Sequence, residues 1–157
     1  MQYPMPVLVA TLMLMSLLAG CGIQPKPSTI KVKETPANGL TQNSFDQDYL
    51  QKLAEETRQG AEHSLQQAYE RNKVPPAERY SHAHTSGRYE MLGKYKLAVI
   101  DLSYSANPMR VTRIVGIAQD RIVTISCISP KGEPIELREG KSKCGKAIED
   151  HFPTTGE

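Results

Sequence analysis

RVTRIVGIAQDRIVTISCIS, residues 110–129, decides the fold. Two runs rich in β-branched residues flank Gln119-Asp120, and two strands joined by two residues make a hairpin. With Gln119 and Asp120 as the turn, Ile117 faces Ile122 and Val111 faces Ile128. On the other face Ile114 meets Ile125 and Thr112 meets Cys127. Side chains alternate across a strand, so this register makes both faces of the hairpin apolar. Something in the chain must cover each face, or a partner must cover one.

Working outward, strand signals continue on both sides. RYEML (88–92) and YKLAVIDLSY (95–104) flank Gly93-Lys94, a dipeptide suited to a type II′ turn, and Asn107-Pro108 marks the next turn. SPKGEP (129–134) is a further turn leading to a short strand over 135–138, and KCGKAIEDHF (143–152) suits a short helix. Upstream, residues 44–72 predict a long helix. Ser44 and Gln47 form an S-x-x-Q capping box, Phe45, Tyr49, Leu50, Leu53, Leu65 and Tyr69 make one apolar stripe, and Val74-Pro75-Pro76 stops it. The expected fold class is α+β: a long N-terminal helix packed on an antiparallel β-meander of about four to five strands, with a short C-terminal helix. That domain spans residues 44–152, with a tail at 153–157.

The N-terminal part reads differently. VLVATLMLMSLLAG, residues 7–20, is uncharged and, at 14 residues, short of the roughly 20 that cross a bilayer. It suits the apolar region of a secretory signal, although MQYPMP before it has no Lys or Arg, where such signals are normally positive. Leu18-Ala19-Gly20-Cys21 at its end resembles the lipobox of bacterial lipoproteins. The resemblance implies a signal peptide over 1–20, cleavage before Cys21, and lipidation of the Cys21 thiol, with palmitate among the chains attached. Gly22, rather than Asp, after that cysteine resembles lipoproteins sent to the outer membrane, which implies a periplasm-facing anchor there rather than in the inner membrane. Residues 21–43, with Pro25, Pro27, Pro36, Gly22 and Gly39, are expected to be a flexible tether. The Ser28–Lys31 S-x-x-K match within it is a chance occurrence.

Export leaves Cys127 and Cys144 as an even pair in an oxidising compartment, so a structural disulfide is expected between them. Sixteen residues lie between, and in the chain-entropy account closing such a loop stabilises by about 3 kcal/mol.

Sites of chemistry are sparse. His82 and His84 could point one way from an extended segment, but no acidic or thiol cluster accompanies them, so no metal is expected. Asp101 between Ile100 and Leu102 is a candidate base. There is no G-x-S-x-G, H-E-x-x-H, phosphate loop or dinucleotide fingerprint, and no cofactor is expected. With no Trp and two Phe the chain lacks a stacking platform, so nucleic acid is not an expected partner. Charge is uneven: residues 78–146 carry 12 basic and seven acidic side chains within a net +2. Unless the C-terminal segment tied by Cys144 covers it, one apolar hairpin face, with Arg110, Arg113, Val115 and Arg121, is the expected surface for an envelope protein partner. The function expected is a lipid-anchored envelope binding or scaffold module, such as an accessory component of an assembly or secretion complex, or an inhibitor. A small periplasmic hydrolase is the alternative.

Overall fold

The computed structural model describes residues 30–79, 81–132, 135, 137 and 142–154. In chain order it contains β1 (Ile30–Pro36), α1 (Gln47–Arg71), β2 (Ala83–Leu92), β3 (Tyr95–Tyr104), β4 (Asn107–Ala118), β5 (Arg121–Ser129) and α2 (Lys143–His151). The strands form one antiparallel sheet of order β1-β5-β4-β3-β2. The α+β class and the meander therefore hold.

The central hairpin has the register its residues predict. Ile117 pairs with Ile122, Ile114 with Ile125, Thr112 with Cys127 and Val111 with Ile128. Gln119 and Asp120 have φ of +50° and +57°, as a type I′ turn requires. A glutamine side chain resists that conformation more than asparagine or glycine does. The double substitution Gln119→Asn with Asp120→Gly is expected to stabilise the protein by about 0.5–2 kcal/mol. Urea unfolding measures it, and an unchanged or lowered midpoint would count against strain at this turn.

Several expectations need correction. The long helix is not the N-terminal element, because β1 precedes it, and it begins at Gln47 rather than Ser44. Its cap is Asp46, whose carboxylate accepts the Tyr49 N–H at 2.8 Å. Ser44 instead closes a single 3-10 turn, Gln42–Ser44, where its hydroxyl accepts the Thr41 N–H at 3.2 Å. Asp wins because an extended Asp46 leaves its carboxylate facing the free N–H groups at the positive end of the helix. The stretch 21–43 is not all tether, since Ile30–Pro36 pairs residue by residue with β5. Its lysines and terminal proline, which read as linker, are the chemistry of a sheet edge. The β3–β4 turn falls on Ser105-Ala106, with Asn107 already opposite Tyr104. Pro108 stands where the ladder shifts register, a place that tolerates a missing N–H. Of the strand expected over 135–138, Leu137 lies in a turn, while Glu136 and Arg138 are outside the described residues. The expected signal peptide and Cys21 also lie outside them.

The sheet has two differently covered faces. On one, α1 packs through Leu50 and Leu53 against Ala98, Ile100 and Val115, with Phe45 completely buried beside them. On the other, α2 and the chain beyond it bury Ile148 and Phe152 against Leu97, Val99, Ile114, Val123 and Ile125. The Cys127–Cys144 disulfide ties β5 to the first turn of α2, with Cα atoms 5.9 Å apart. Gly116 makes the close approach possible: a Cβ there would stand 2.7 Å from the Phe152 ring and 2.5 Å from Leu97. The C-terminal segment thus covers the second hairpin face, the arrangement that needs no partner there.

Candidate interaction surfaces

Helix α1 lies mainly over β2 and β3, burying Ala61, Ala83 and Leu102 at its far end. The same face continues over β4, β5 and β1. There the register aligns Arg113 with Ser126 and Lys31, and in the next row Val115 with Thr124 and Lys33. Half-buried Ile117 and Ile122 bound this area on one side, and Val111 and Ile128 on the other. At a strand spacing of about 4.8 Å, three strands span roughly 10 Å, the diameter of one helix with its side chains.

Arg113 is fixed in place. Its Nη1 donates to Thr57 Oγ1 at 3.0 Å, and Thr57 donates in turn to the Leu53 carbonyl at 2.7 Å. Its charge reaches Tyr49: burial pushes that phenol's pKa up, and Arg113 partly offsets the rise while Glu56 adds to it. Among the described residues no ion pair involves Lys31, Lys33 or Arg113. The area is therefore cationic, with hydroxyls and aliphatic side chains between the charges.

The four residues expected to form one partner surface do not share a face. Val115 is 1% exposed and belongs to the core under α1, so it cannot meet a partner. Arg113 shares its face, whereas the register turns Arg110 and Arg121 to the α2 side at opposite ends of the hairpin. Arg121 Nε pairs with Glu34 Oε2 at 3.1 Å, and Glu34 Oε1 also lies 3.4 Å from His151 Nδ1, which joins the β1 edge to α2. Sequence reasoning missed Lys31 and Lys33. The signal that could have found them is the alternation Ile30-x-Val32 before Thr35, three β-branched residues inside a supposed linker.

The histidines are exposed. His82 precedes β2, His84 lies in it, and among the described residues no group of three His, Cys, Asp or Glu side chains could hold a metal. Asp101 accepts from Thr112 Oγ1 at 2.8 Å and from Arg88, so both its oxygens have donors. That is the environment of a structural carboxylate rather than of a free base. A groove of about 410 Å³ opens between the β2–β3 turn and α2, lined by Leu92, Gly93, Leu137, Ile148, Glu149 and Phe152 among others.

No protein-family profile matches the chain, and no curated protein and no solved structure is significantly similar to it.

Proposed function

We propose that the protein is a lipid-anchored binding module of the bacterial cell envelope. It is held at Cys21 to the outer membrane, faces the periplasm, and docks a partner on the part of the sheet beside α1. The Cys127–Cys144 bridge suits an oxidising compartment. The observation that carries the binding reading is the cationic half-face of Arg113, Lys31 and Lys33. Lysines on an edge strand also discourage strand-to-strand aggregation, but that role does not extend to Arg113 on interior strand β4. The width and charge of the area suit one amphipathic helix with an acidic flank, lying alongside α1 as a second helix on the same sheet face.

A photo-crosslinking residue placed at Thr124 in the full-length protein, expressed in cells with a clickable fatty acid, tests this. The expected result is fatty-acid label that Cys21→Ser abolishes, and one discrete crosslink whose partner peptide maps to an acidic amphipathic helix. Charge reversal at Arg113 and Lys33 should weaken the crosslink by at least about tenfold, in line with close charge pairs at interfaces. Label that survives Cys21→Ser would overturn the anchoring. A crosslink that is absent, maps to a basic segment or forms equally from Gln66 on α1 would overturn the docking face.

A further inference from the structure

The sheet face under α2 is apolar at its centre, with the Arg121–Glu34 pair at one end and a polar corner at the other. The register places His84, Ser103, Arg110 and Ser129 in one row across β2 to β5, and Ser86, Asp101 and Thr112 in the next. Helix α2 leaves this corner aside, because it runs from Cys144, bonded to β5, toward Phe152 over Gly116 and Leu97. Thr112, completely buried, donates a hydrogen bond from its hydroxyl to Asp101. Arg88 bridges Asp101 and Glu90, the latter at 2.6 Å. Burial works against the Arg88 charge, and the bonds from Glu90 and Asp101 together outweigh it and hold its pKa above the usual value.

Beside the network lies a recess of about 150 Å³ lined by His84, Thr85, Ser86, Asp101, Ser103 and Arg110. The acceptor oxygens of Asp101 already have donors in Thr112 and Arg88. What remains on offer is mainly donors: the Arg110 guanidinium, the Ser86 and Ser103 hydroxyls and the His84 ring. Among the described residues Arg110 has no ion pair. A ligand that brings oxygen acceptors and a negative charge complements Arg110 and these donors.

We propose that the recess binds the phosphate group of a soluble phosphomonoester, with Arg110 as its principal ligand. A guanidinium presents its N–H groups as a planar fork that matches two oxygens of a tetrahedral anion, which an ammonium cannot do. Ser103 and His84 stand in the same cross-strand row as Arg110, and Ser86 in the next, so hydroxyl and imidazole donors surround the remaining oxygens. Both Asp101 oxygens already accept from Thr112 and Arg88, which leaves Arg110 to face the recess, and Arg88 offsets one of the two carboxylate charges that it bridges. This site is on the opposite face from the docking surface and stands independently of it.

Calorimetric titration of the full-length protein in mild detergent tests the assignment, with inorganic phosphate, glycerol 3-phosphate and short-chain dihexanoylphosphatidylglycerol as separate probes. The first two should bind saturably. Arg110→Gln should weaken both by roughly tenfold or more, as loss of a charge-assisted hydrogen bond implies, while Arg121→Gln at the other end of the hairpin leaves them unchanged. Arg110→Lys, which keeps the charge without the fork, should fall between and serves as the reading if the glutamine variant misfolds. Absence of saturation by inorganic phosphate or by glycerol 3-phosphate, equal binding by the Arg110 variants, or tighter binding of the lipid phosphodiester than of glycerol 3-phosphate would each overturn the proposal.

Discussion

Phe45→Ala is expected to lower stability by about 3–5 kcal/mol, the range for removing a fully buried aromatic side chain. Phe45 is 0% exposed, stacks on Tyr49 with ring centroids 4.7 Å apart, and lies 6.3 Å from the Tyr89 ring. It stands just before the Asp46 cap and clusters with Leu50, the position that a hydrophobic staple pairs with it. Its carbonyl also accepts from Lys96 Nζ at 2.5 Å, while the Lys96 backbone N–H donates to Gln42 at 3.0 Å. One side chain therefore sets the angle at which the chain enters α1 and joins that entry to β3. Urea unfolding should show a lower midpoint with an unchanged slope. A loss under about 1 kcal/mol would mean that the surrounding rings collapse into the space.

Replacing Cys127 and Cys144 together by alanine is expected to cost about 2–5 kcal/mol. The cysteines are 17 positions apart, which in the loop-entropy account corresponds to roughly 3 kcal/mol. The loss should be local before it is global. Helix α2 is nine residues long, too short to persist alone, and it is held by Ile148, Phe152 and the bridge at its first turn. Hydrogen exchange after reduction should therefore accelerate first over residues 142–152, while the amides of β3 and β4 keep their protection. Uniform acceleration, or equal melting temperatures with and without reductant, would contradict this assignment.

How much of this was legible in the sequence depends on which residues carried the signal. β3 and β5 could be bounded to the residue, because their β-branched runs end at turn dipeptides, and the β4–β5 register followed from two-residue closure. The Cys127–Cys144 pairing followed from counting cysteines once Cys21 was set aside. β1 was not legible as a strand, since an edge strand buries little: Val32 is 43% exposed and both lysines face solvent. The start of α1 was misplaced by three residues because Ser44 and Asp46 both satisfy a capping pattern, and tertiary packing of Phe45 decides between them. The candidate sites were the least legible. Hydrophobic periodicity says that Arg110 and Arg113 lie on different faces only once the whole register is known, and it assigned Val115 to a surface that α1 covers.

The early start of β1 has a mechanical consequence. On the proposed anchoring, nine residue steps separate Cys21 from Ile30, and fully extended they reach roughly 30 Å. The leash is short, and it does not end in a loop. It ends at Ile30, which is paired directly with Cys127, itself cross-linked to α2. Any pull between membrane and partner enters the domain at that pair. The bridge then spreads the load from one edge strand into both layers beneath it. Drag on a docked partner would strain the leash and the β1–β5 ladder before it reached the Phe45 core, so detachment from the sheet edge, not unfolding, is the expected mode of mechanical failure.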